Sequence, residues 1–200
     1  MKRLLNLLFI SFFLFMTGAL SAQSESEWIS LFNGKNLNGW FAYGAADWSV
    51  QDGVIVGETA RGHLYTYPTA SDFEAKGMFK ISGHRANSGF YFRAHPPADN
   101  LDGFPRGYEF QMDNTQGAHT GYLWKPGNPV GKASKLITQD DEWFSIRIRA
   151  VGTHIQFWVN DELVMTHEDD EYTSGHFAIQ MHHEGMKVEA RDLYYRDLSK

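Results

Sequence analysis

The chain has 200 residues and a formal charge of −6, and removal of the two early cations Lys2 and Arg3 would leave the remainder at −8. That length suits one compact domain with a full core, and an acidic chain without clustered Lys and Arg lacks the phosphate-neutralising surface that nucleic-acid binding requires. Cys is absent, which excludes a disulfide framework and a lipid-carrying Cys behind a leader.

Residues 1–22 carry Lys2-Arg3, an apolar run through Phe15 and Met16, and the small-residue series Gly18-Ala19-Leu20-Ser21-Ala22. This is the layout of a secretory signal with cleavage near Ser21 or Ala22. The run is broken by Asn6, Ser11 and Thr17 and is too short to favour a membrane anchor, and no later stretch could span a bilayer. A periplasmic or secreted location and a single domain over residues 23–200 are expected; no pattern specifies an oligomeric state.

Further along, Ser30 to Trp40 holds short apolar pieces between Asn/Gly turns. Trp48 to Gly57 reads as a hairpin, because Asp52-Gly53 supplies the positive φ that a tight two-residue turn requires. Phe73 to Ile81 is the next strand, ended by Ser82-Gly83, and Asn87 to Arg93 is stopped by Pro96-Pro97. In Gly107 to Asp113 the apolar Tyr108, Phe110 and Met112 alternate with Glu109, Gln111 and Asp113, so a strand would send one set to a core and the other to a free face. The stretch Thr115 to Ser134, rich in Gly with Pro126 and Pro129, is expected to be a functional loop rather than regular strand. Glu142 to Ala150 and Thr153 to Asn160 alternate on either side of a Gly152 turn, Leu163 to Met165 continues the meander, and Gly175 to His182 and Lys187 to Tyr195 complete the set. No sustained helical period occurs. Many short strands with regularly spaced turns predict an all-β fold, an antiparallel two-sheet jelly-roll sandwich.

Two further strands repeat the polar stripe. Phe177, Ile179 and Met181 oppose His176, Gln180 and His182, while Phe90 and Phe92 oppose Asn87, Tyr91 and Arg93. If these strands are neighbours, Arg93, Glu109, Gln111, Gln180 and His182 line one free face and together offer acid, base, cation and amide. The alternatives are an ordinary exposed sheet face and a plain surface bridge between Arg93 and Glu109, which would contribute little. His119 and the pair His182-His183 are candidate proton carriers or ligands, although no metal-ligand signature is present and a divalent ion could only be held across strands by His182, Glu109 or Asp113. His63, His84, His95, His154 and His167 read as solvent-facing or turn histidines. Aromatic residues make up 15% of the chain, with 6 Trp, enough for both core and sugar-stacking roles. Trp28, Trp40, Trp48 and Trp143 read as core, and Trp124 as the sugar-stacking candidate. No nucleophile elbow or phosphate-cradling loop occurs, and Ser88 falls on the apolar side of its strand.

Taken together, Leu31 to Trp40, Trp48 to Gly53, Asn87 to Arg93, Gly107 to Asp113 and Gln180-Met181-His182 resemble the 3-keto-disaccharide hydrolase family over nearly the whole chain after residue 22. The resemblance implies a concanavalin-like sandwich, export from a bacterial cell, and action on glycosides whose C3 hydroxyl has been oxidised to a ketone. It departs at Trp124, where the family often has Tyr, and at Asp192, where it often has Asn. The implied chemistry is removal of the acidified C2 proton by Glu109 or His182, stabilisation of the enolate by Arg93 or by a divalent metal ion, loss of the C1 substituent, and addition of water. Asn87, Tyr91, Gln111, Asp113, His119, Trp124 and Gln180 are the expected substrate-binding groups. A non-catalytic carbohydrate-binding module is the alternative. An ordinary two-carboxylate glycosidase ranks last, since Glu109 and Asp113 would stand about 13 Å apart along one strand at about 3.3 Å per residue.

Overall fold

The computed structural model describes residues 27–97, 103–115 and 119–199, so the proposed leader lies outside the described residues. Fifteen strands occur among them and no helix. The first seven are β1 (Ile29–Ser30), β2 (Trp40–Gly44), β3 (Asp47–Gln51), β4 (Val54–Glu58), β5 (Gly62–Ala70), β6 (Phe73–Gly83) and β7 (Asn87–His95). They are followed by β8 (Arg106–Asp113), β9 (Leu123–Lys125), β10 (Asn128–Gly131), β11 (Phe144–Val151), β12 (His154–Val159), β13 (Glu162–Glu168), β14 (Gly175–Met181) and β15 (Met186–Asp197). One sheet runs β13-β12-β11-β6-β15-β4-β3 with β1 on β15, and the other runs β10-β9-β8-β7-β14-β5-β2. Neighbours are antiparallel, as in the central pairs β6/β15 and β7/β8. The all-β sandwich expected from alternation is the fold observed.

Between the sheets the apolar parity of each strand meets its counterpart. Phe73 and Phe79 of the first sheet pack on Phe177 and Phe90 of the second at 4.8 and 5.3 Å between ring centroids, and Phe157 meets Phe110 at 4.8 Å. Each ring removed from water contributes about 1.5–3 kcal/mol, so this aromatic layer fixes how the sheets face one another. The Asp52-Gly53 turn forms between β3 and β4 with φ of 49° and 80°.

Three expectations need correction. The segment Thr115 to Ser134 is not all loop: β9 and β10 form a hairpin in it, and Pro129 is tolerated because β10 is an edge strand with one free side. Trp28 and Trp143 are not core. They lie half-buried beneath cations, with Lys76 and Arg196 over Trp28 at 4.2 and 5.1 Å and Arg191 and Lys80 over Trp143 at 4.6 and 5.2 Å. The side-chain stems shield rings that have no opposing layer. Finally, β5 was not anticipated; it is central enough to be buried on both faces from Gly62 to Thr66, so it lacks polar alternation. No helix among the described residues is long and apolar enough to cross a membrane.

Candidate active site

Strands β7 and β8 pair so that Asn87 stands opposite Asp113, Gly89 opposite Gln111 and Tyr91 opposite Glu109, while Trp124 of β9 stands opposite Glu109 on its other side. This register brings the polar parity of both strands to one free face. Gln180, from β14 on the far side of β7, donates from Nε2 to the Tyr91 hydroxyl at 3.0 Å. A cavity of about 170 Å³ opens over this face, lined by Asn87, Tyr91, Glu109, Gln111, Trp124, Gln180 and His182, with a wall of Phe104 and Lys125 to Gly127. A second cavity of about 400 Å³ shares Asn87 and His182 with the first and continues past Asp113, Arg85 and His183.

Glu109 is 7% exposed, and its carboxyl lies across Gly89, where a Cβ would overlap it. Burial raises its pKa to about 8, against a smaller opposing effect of a hydrogen bond from Tyr91. Near neutrality the side chain is therefore mostly a carboxylic acid. The Tyr91 hydroxyl in turn is pushed up by burial and by the neighbouring Glu109. His182 moves the other way, down to about 4, through burial and then through the charges of Arg61 and His183, with Asp113 opposing. It is a neutral imidazole over the same range. Around these two groups, buried Glu109 Oε1, Gln180 Oε1 and Trp124 Nε1 have no protein partner, an unusual concentration of unsatisfied polar atoms for one face.

Seven of the ten expected residues thus share one cavity. Asp113 lies beside it, accepting from Asn87 Nδ2 at 3.1 Å and lining the second chamber. His119 packs its ring on Tyr122 at 5.1 Å and lines neither cavity. Arg93 is the clear correction. At the register shift between Phe92 and His95 it takes a φ of 48°, which turns its side chain off the site-facing stripe. Only 1% exposed, it donates to the carbonyls of Ser71, Gly152 and Tyr172 and pairs with Asp72 at 3.2 Å. The plain bridge to Glu109 is equally absent, because Arg93 is committed to these partners.

Among the cations near the site, Lys125 lines the cavity but is paired with Asp169 and Glu171, and Arg61 stands behind His182, its Nε donating to the His182 carbonyl at 3.0 Å and its guanidinium over Phe104 at 5.5 Å. Sequence reasoning missed Arg61 and also His63, which is not solvent-facing: it is 1% exposed, lies edge-on to Tyr91 at 5.5 Å, and is held down to about 3 by burial, Arg61 and His182. Its place opposite Gln180 in the β5/β14 register was the signal, hidden until β5 is recognised. No group of three or more His, Asp or Glu side chains converges as a metal site among the described residues, so the donor set does not fit a resident divalent ion and no step is routed through one.

The sequence profile of the 3-keto-alpha-glucoside-1,2-lyase-like domain matches residues 27–198. No curated protein matches the chain. Among solved structures, a candidate glycosyl hydrolase from Parabacteroides distasonis is similar at 23% identity and a TM-score of 0.67, over 86% of this chain and 94% of that one. The carbohydrate-binding module CBM66 from Bacillus subtilis is similar at 16% identity and a TM-score of 0.63, over 80% and 96%. The Emp47p carbohydrate recognition domain is similar at 18% identity and a TM-score of 0.60, over 84% and 92%. At these identities the likeness is one of fold.

Proposed function

The chain belongs to the 3-keto-alpha-glucoside-1,2-lyase-like family, and from that membership we propose that it cleaves the glycosidic bond of 3-keto-glycosides by elimination followed by hydration. The observation that carries this reading is the opposite displacement of Glu109 and His182 in one cavity, to about 8 and about 4. Environments that push two titratable groups apart divide the acid from the base. His182, neutral, takes the C2 proton that the C3 ketone acidifies. The electron pair left on C2 delocalises onto the ketone oxygen as an enolate, then forms the C1–C2 double bond as the C1–O bond breaks. Glu109, protonated, gives its proton to the departing oxygen, and water adding across the double bond completes net hydrolysis.

Arg93 takes no part in this chemistry; burial, and then the charge of Arg61, which is bonded to the His182 carbonyl, hold the His182 imidazole neutral. The amides of Asn87 and Gln111 and the unpartnered indole N–H of Trp124 are suited to sugar hydroxyls. Two chambers meeting at Asn87 and His182 accommodate a disaccharide with one ring in each. Export through residues 1–22 belongs to the same proposal.

The test incubates the protein with a 3-keto-glucoside and with its unoxidised parent. Release of aglycone from the keto sugar alone, falling by about 100-fold or more in both Glu109→Gln and His182→Ala, supports the reading. Unchanged turnover in both variants removes the site. The stacked aromatic and amide groups also suit a binding module, and that reading is favoured if the sugar binds with no aglycone released.

A further inference from the structure

His182 and His183 are adjacent in sequence, and their rings meet edge to face with Nδ1 of one 3.1 Å from Nδ1 of the other. Two nitrogens at that distance share one proton, and the direction of the bond is fixed by what lies beyond it. Nε2 of His183 is 3.0 Å from the carbonyl oxygen of His84. A carbonyl only accepts, so this nitrogen carries the hydrogen. The carbonyl is itself held, because the His84 amide donates to the Gly185 carbonyl at 2.9 Å and ties the two turns together. In a neutral His183 with its hydrogen on Nε2, Nδ1 is a bare acceptor. His182 must then donate from its own Nδ1, which leaves its Nε2 with the lone pair.

We propose that His183 is a positioning residue that fixes the His182 ring as the tautomer with hydrogen on Nδ1, so that Nε2 is the basic nitrogen presented to substrate. This rests on the reading of His182 as the base, and it gives that base a defined atom. The relay runs His84 carbonyl, His183, His182, with each hydrogen bond pointing toward the backbone and the lone pair pointing away from it. It performs for an imidazole the task that a buried carboxylate performs in a hydrolytic triad, where the partner selects the tautomer without itself taking the proton. No acid could serve here equally well: a carboxylate at His183 could accept from His182 but could not donate to the His84 carbonyl.

The experiment labels histidine nitrogens with ¹⁵N in the intact protein and reads the His182 ring at about pH 7.5, above the ordinary imidazole range. The expected result is a protonated Nδ1 and an unprotonated Nε2. In His183→Phe, which removes the acceptor, the His182 hydrogen moves to Nε2 and kcat falls by about 100-fold with KM within about threefold. His183→Asn, whose side-chain oxygen falls near the place of His183 Nδ1 and can accept from His182, keeps the Nδ1 tautomer and recovers kcat to within about tenfold. A wild-type His182 bearing its hydrogen on Nε2 overturns the proposal, as does full kcat in His183→Phe with the tautomer changed. If His182→Ala alone retains activity, the base has been misassigned while the tautomer measurement still decides the role of His183.

Discussion

At the scale of single residues, Glu109 and the two histidines His63 and His182 make opposing demands on the folded state. Glu109 has its pKa raised from 4.5 to about 8, so it favours folding fully below 4.5 and that contribution is lost as pH rises through 8. The loss is on the order of 5 kcal/mol. His63 and His182 are depressed from 6.5 to about 3 and about 4, so their contribution is present above 6.5 and lost as pH falls through those values. From pH 4.5 to 6.5 two histidines outweigh one carboxyl, and above 6.5 only Glu109 acts; stability measured by denaturant titration should peak near pH 6.5. Glu109→Gln should flatten the alkaline side and steepen the acid side between pH 4.5 and 6.5, where the carboxyl no longer opposes the histidines. Gly89 is the residue that lets this carboxyl sit where it does. Gly89→Ala should displace Glu109, lowering kcat by at least about tenfold and costing about 1–3 kcal/mol in unfolding free energy. Of these residues Glu109 and His182 were legible from alternation alone, whereas Gly89 was not, because a glycine's role depends on what crosses it.

At the scale of elements, period-two patterning located the strands that keep one polar face, β6 to β8, β11, β12, β14 and β15, to within a few residues. It failed at β5, where His63 and Tyr65 on the site side are as buried as Leu64 and Thr66 on the other, so the sequence shows no contrast to read. It also misplaced Arg93, since one bulge shifts parity by a residue and sends every later side chain to the other face. The displaced guanidinium ties the β5–β6 turn at Ser71 and Asp72 to the β11–β12 turn at Gly152 and the approach to β14 at Tyr172. Arg93→Met leaves those carbonyls without their donor and should lower stability by about 3 kcal/mol. At a temperature where the variant stays folded, its kcat/KM should remain within about threefold of the parent, an outcome that an enolate-binding arginine would not give.

Considered whole, the molecule is two sheets held by one aromatic layer, and the cavity proposed as the active site stands on the outward side of the second sheet. Phe177 is the hinge of that layer, stacked 5.8 Å from Phe90 with an interplanar angle of 5° and edge-on to Phe73. Three residues further along the same strand is Gln180, and His182 follows just beyond its end. Phe177→Ala should therefore cost about 3–5 kcal/mol, seen as a lower midpoint in chemical denaturation, with kcat reduced as the strand carrying Gln180 loosens. The overall architecture was readable because burial between sheets imposes a regular chemical rhythm, while the cavity walls obey no such rhythm and become visible only when distant turns are brought together.

The edge hairpin of β9 and β10 supplies Trp124, Lys125, Pro126 and Gly127 to the cavity, and it pairs with its sheet through β8 alone, with Lys125 tied to Asp169 and Glu171 beside it. Its replacement would leave Glu109, His182 and the aromatic interior in place. Under the proposed function, selectivity for one sugar over another would drift through a handful of substitutions at the rim, and grafting residues 123–131 from a relative would be a direct way to retarget the protein without rebuilding it.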